Sequence, residues 1–140
     1  MPSPREAMRE RGWTVEHVPH EVIADYNACY RVVYEGELVY PPAADVLGIP
    51  ENEVWVSEKW AKYDRFILYH ELREIEHRAA GHDKTAAHER AERDERSLWL
   101  DDPRWRVMNA EWDEGRAHLP FPNERDDLSR RTAAAAARAR

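Results

Sequence analysis

Cysteine is nearly missing from this chain: Cys29 is the only one in 140 residues. A lone thiol excludes an intrachain disulfide and any cysteine-built zinc cluster, and it fits a reducing compartment. Glycine is scarce too. Its five copies are scattered singly, so no glycine-rich loop is present to cradle a phosphate. A serine-nucleophile elbow is also missing. Positive charge is in the minority, with 21 Lys and Arg against 28 Asp and Glu and a net charge of −7. That balance argues against a nucleic-acid partner, because neutralising phosphates takes a basic surface. The N-terminus carries no apolar h-region, and no run approaches the ~18 apolar residues of a membrane span. A cytoplasmic protein with neither nucleic acid nor membrane as partner is expected.

What is present argues for a folded core. Hydrophobic residues make up 42% of the chain, including six Trp and six Tyr, while 35% charged residues keep the surface wet. One α+β domain is expected over residues 1–122, with its core at 13–100 and a polar, Ala/Arg-rich tail at 123–140. Ser3-Pro4 followed by "REAMRERG" reads as a short capped helix stopped by Gly12. Trp13 to Pro19 reads as a strand. "ACYRVVYEGELVYPP" reads as a hairpin turning at Glu35-Gly36, and "PAADVLGIP" as a short helix closed by Gly48. A β-rich run, Asn52 to Ser57, leads into a long helix from about Lys59 to Ala80. After Gly81 a second helix starts near Asp83 to Thr85 and runs to about Leu100. Beyond Asp102-Pro103, a short helix and a loop are expected to fold Trp105 and Trp112 back on the body. The expected sheet is small and mostly antiparallel, packed on the long helix and an adjoining antiparallel one.

The densest chemistry lies between Tyr69 and Glu95, "YHELREIEHRAAGHDKTAAHERAERDE". His70, Glu74 and His77 fall on one helical stripe, with Leu68, Leu72, Ile75 and Ala79 opposite as the stripe expected to meet the core. His88, Glu92 and Glu95 share a face of the next helix. A short connection through Gly81 brings the two polar faces within reach of each other. A catalytic zinc takes about three protein ligands from His and Asp/Glu and leaves one position open. His70 and Glu74, one turn apart, supply two, and His88 is the natural third. Glu71 sits where zinc hydrolases hold the base that deprotonates water. Glu92 or His77 could add a fourth ligand or fix a histidine tautomer from behind. The competing expectation is two solvated faces laced with i,i+4 ion pairs, which need no metal.

The same residues carry a likeness. "EVWVS", then a helix entering as "ILYHELREIEHRA", then "AAHERAERDE" resembles compact zincin-type, metallopeptidase-like proteins of phage and archaea that have HExxE followed by an "AH" helix. The resemblance covers about Glu53 to Glu95. It implies a single Zn2+ held by His70, Glu74 and His88, Glu71 as the base, and hydrolysis of peptide bonds. It also implies that Val54, Trp55 and Val56 pair with an extended peptide substrate by strand addition. This sequence has Glu74 where the HExxH pattern has its second histidine. The alternative reading is a non-catalytic structural or protein-interaction domain with a degenerate or absent metal site, offering the Trp-rich C-terminal segment and the tail as contacts.

Other features weigh less. Glu74 to His77 also matches the ExxH of di-iron bundles, but that architecture needs a second copy and more carboxylate helices. His17 and His20 are expected in a loop, Cys29 in the core, and Trp99, Trp105 and Trp112 in packing.

Overall fold

The computed structural model describes residues 2–23 and 26–117; the expected tail at 123–140 lies outside them. Helix α1 (Pro4–Glu10) starts at Ser3, whose hydroxyl accepts from the Glu6 amide. Strand β1 (Thr14–Val18) leads to a single turn, α2 (His20–Ile23), and then to β2 (Ala28–Tyr34). Glu35 and Gly36 both adopt positive φ, 48° and 86°. That is the two-residue geometry that suits a tight hairpin, and the chain returns as β3 (Glu37–Val39) with Tyr34 opposite Glu37. Helix α3 (Ala43–Leu47) closes on a left-handed Gly48, and β4 (Glu53–Ser57) follows.

The strand order is β1-β4-β2-β3. β2 is antiparallel to both β3 and β4, while β1 runs parallel to β4. The fold is therefore α+β with a mixed, mostly antiparallel sheet. The position of β4 corrects one expectation. It pairs with β1 along Glu53–Ser57 and with β2 along Glu53–Val56, so both of its hydrogen-bonding edges are taken. Val54, Trp55 and Val56 cannot accept a peptide strand, because strand addition needs a free edge. Val54 and Val56 are fully buried, as suits an interior strand.

Residues Glu58–Tyr63 form a 3-10 segment rather than the first turns of the long helix. Side chains three apart eclipse in such a segment, and Trp60 and Tyr63 use this to bury side by side, 6.2 Å between ring centroids. Helix α4 (Asp64–Ala79) then runs across the sheet, and Gly81 turns the chain at φ 108°. Helix α5 (Lys84–Trp99) is capped by Asp83, whose carboxylate accepts from the Ala86 amide. Helix α6 (Pro103–Ala117) is longer than the short helix and loop expected there.

One face of the sheet presents Tyr30, Val32, Val54 and Val56 to Met8, Phe66, Leu68, Ile75, Trp105 and Met108. The other face packs Cys29 with Ile23, Ala43, Ala44 and Ile49, so the thiol is a small core residue. The tryptophans pack as expected, Trp112 at 5.1 Å from Trp60 and Trp99 at 5.0 Å from Phe66. The buried side of α4 differs from the expected stripe. Ile67, Leu68, Glu71, Glu74 and Ile75 are buried, whereas Leu72 and Ala79 are only partly so. The helix is rotated so that two carboxylates face inward, an arrangement that is unfavourable unless those groups find partners. Among the described residues no helix is long and apolar enough to cross a membrane.

Candidate metal centre

Helix α5 meets α4 through Ala87, Ala91 and Glu95, all buried. Two alanines one turn apart leave little bulk between the helices, so the longer side chains beside them reach across. His88 comes from α5, and His70 and Glu74 come from adjacent turns of α4.

These three converge. His70 Nε2 and His88 Nδ1 lie 3.1 Å apart, His88 Nδ1 and Glu74 Oε1 lie 3.2 Å apart, and His70 Nε2 and Glu74 Oε1 lie 3.6 Å apart. The three atoms form a nearly equilateral triangle, and the group could hold a metal ion. Ligands of a tetrahedral zinc at its usual bond lengths stand about 3.3–3.5 Å from one another, so the triangle already has the right size. The polar faces that the sequence placed on two helices do turn toward each other.

Both imidazoles are aimed from behind. The other ring nitrogen of His70, Nδ1, lies 2.7 Å from Glu95 Oε2, and His88 Nε2 lies 2.9 Å from Glu92 Oε1. A carboxylate behind a histidine holds the proton on the remote nitrogen and leaves a lone pair on the facing one. At 3.1 Å the facing nitrogens are within hydrogen-bond distance of each other, and both also face Glu74 Oε1. Burial lowers the basicity of both rings, but the hydrogen bonds that His70 donates to Glu74 and Glu95 outweigh it and hold His70 well above the usual histidine range. For His88 the opposing bonds are those it donates to Glu74 and Glu92, with the same upward result.

Glu74 is the fixed point of the centre. The Tyr30 hydroxyl donates to its Oε2 at 2.7 Å and the Lys84 ammonium donates to its Oε1 at 2.9 Å. Burial alone would raise its carboxyl pKa, but Lys84 and the two histidines pull it well below the usual carboxylate range. Glu71 is the opposite case. It is 8% exposed and accepts no hydrogen bond among the described residues. Burial, then repulsion from Glu74, push its carboxyl up to about 7. A carboxylate poised near neutrality can both take and return a proton.

Of the two roles expected for Glu92, the structure gives it the support of His88. His77 stands apart from the centre, because Asp94 takes it: Nε2 lies 2.8 Å from Asp94 Oδ2. With His77 engaged there, the ExxH reading has no second ligand. His17 and His20 are not in a loop. His17 lies on β1 and reaches Asp64 at 2.7 Å, while His20 opens α2 and meets Ser57 Oγ at 2.8 Å. Neither touches the triangle. Three contributors had no assigned role in the sequence reading: Glu95, Tyr30 and Lys84. Glu95 was visible as a face-mate of His88. Tyr30 and Lys84 carried no local signal, since only the fold brings β2 and the start of α5 to Glu74.

No family model, curated protein or solved structure matches the chain. The zincin likeness therefore stands on residues 53–95 alone.

Proposed function

We propose that this chain is a zinc-dependent hydrolase of peptide bonds, with His70, Glu74 and His88 as ligands and Glu71 as the base. The observation that carries the ligand set is the triangle of donor atoms with a carboxylate behind each imidazole. Two imidazoles and one carboxylate oxygen suit zinc, whereas calcium and magnesium prefer all-oxygen shells. Tyr30 engages Oε2 of Glu74, which favours a one-oxygen mode and a low coordination number. The chemistry zinc supplies when bound is Lewis acidity, which polarises a carbonyl and acidifies water.

The chain's own residues have distinct tasks. Glu95 and Glu92 keep the imidazole lone pairs aimed inward, and Tyr30 fixes the Glu74 carboxylate through its Oε2. Glu71, buried and without a hydrogen-bond partner among the described residues, takes a proton from water and returns it to the departing amine. Peptide as the substrate class comes from the likeness of residues 53–95.

A non-catalytic structural or protein-interaction domain is the second reading. It is favoured by the saturation of Glu74, whose oxygens are engaged by Tyr30, Lys84 and His88, so the centre is satisfied by the chain alone. Zinc-loaded wild type and Glu71→Gln, offered a mixture of unstructured peptides, separate the two. The hydrolase reading expects cleavage by the wild type and a loss of about 10²–10⁴-fold in the variant with its zinc retained. A wild type that binds zinc and cleaves nothing assigns the protein to the second reading.

A further inference from the structure

Lys84 stands out among the groups around the triangle because it is a cation aimed at a prospective cation site. It is the first residue of α5, placed by the Asp83 cap, and its side chain is only 20% exposed. Its Nζ donates to Oε1 of Glu74, the same oxygen that faces both imidazoles. Two further carboxylates, Glu95 and Glu92, are each already engaged by a histidine. The ammonium therefore neutralises the one donor of the triangle that bears a full charge.

We infer that Lys84 is an internal counter-cation that competes with the metal for Glu74 and sets the affinity of the centre. This rests on the metal reading above. With Lys84 in place, Glu74 is paired and buried without an ion, and the fold does not depend on metal to satisfy it. An ion arriving at Oε1 meets a positive charge on the same oxygen. It must either displace the ammonium toward solvent or bind beside it against repulsion. For a single and a double charge about 4 Å apart, even full water screening leaves roughly tenfold or more in affinity. The centre is thus tuned to weak, exchangeable metal binding rather than to permanent occupancy.

The test is zinc affinity by competition with a chromogenic chelator, for wild type, Lys84→Met, Lys84→Gln and Lys84→Arg. Near-UV circular dichroism identifies the variants that keep the native fold. Both neutral variants are expected to bind zinc at least about tenfold more tightly than wild type, and Lys84→Arg is expected to stay near wild type because it keeps the charge. Two neutral substitutions of different polarity guard against one of them failing to fold. Equal or weaker binding by the folded neutral variants, or equal tightening in Lys84→Arg, overturns the inference while leaving the metal centre standing. Absence of zinc binding in all four proteins overturns the metal centre itself, and this inference with it.

Discussion

Replacing Glu71 with glutamine should stabilise the metal-free protein at alkaline pH and do little in acid. The carboxyl moves from an ordinary value of 4.5 to about 7 on folding, because burial and the charge on Glu74 disfavour its ionised form. A raised carboxyl pKa means that the folded state holds the proton more tightly than the unfolded state. Stability is thus at its full value below about pH 4.5 and falls as pH rises toward 7. Above 7 the loss levels off. Moving the carboxyl from 4.5 to about 7 corresponds to about 3 kcal/mol, an appreciable part of a domain's total stability. Glutamine cannot ionise and escapes this loss.

Urea denaturation in a metal chelator at pH 5 and pH 8 reads the effect directly. The variant should gain about 2–3 kcal/mol over wild type between the two pH values. Comparing the same pair at both pH values cancels differences in packing and hydrogen bonding that do not titrate. A difference that is equal at pH 5 and pH 8, or a variant that loses ground in alkali, would refute a buried Glu71 with no hydrogen-bond partner among the described residues.

Three further outcomes are expected. Tyr30→Phe removes the donor to Glu74 Oε2 inside the core and should cost about 1–3 kcal/mol in urea denaturation. Glu95→Gln leaves His70 without its carboxylate and should weaken zinc binding about 10- to 100-fold in chelator competition, with the fold intact by circular dichroism. Zinc binding should also release protons from His70 and His88, whose basicity the surrounding carboxylates raise. Affinity should then fall by at least about tenfold for each pH unit on acidification, and calorimetric enthalpies should vary with buffer ionisation heat.

Local punctuation was legible in the sequence. Ser3-Pro4, Glu35-Gly36, Gly48, Gly81 and Asp83 each mark a boundary that the structure keeps, because capping and positive φ are decided by neighbouring atoms. The convergence of His70, Glu74 and His88 was legible for a similar reason: helical spacing and one short turn constrain it. The parallel pairing of β1 with β4 was not. It joins residues 14–18 to residues 53–57, and no local pattern specifies a partner that far along the chain. That pairing moved β4 into the sheet interior and removed Val54, Trp55 and Val56 as a substrate strand. The rotation of α4 was hidden as well. Leu72 and Ala79 look like better core residues than Glu71 and Glu74 until Tyr30 and Lys84 arrive from elsewhere to partner Glu74. Inward carboxylates of this kind break the apolar pattern, and here they break it at the candidate site.

The ligand set itself is tested most directly by calorimetric zinc titration of metal-stripped wild type, His70→Ala, His88→Ala and Glu74→Gln. One zinc per chain is expected for the wild type, with binding lost in each histidine variant and severely weakened in Glu74→Gln. Unchanged binding in both histidine variants, or no zinc uptake by the folded wild type, would contradict a centre built on His70, Glu74 and His88.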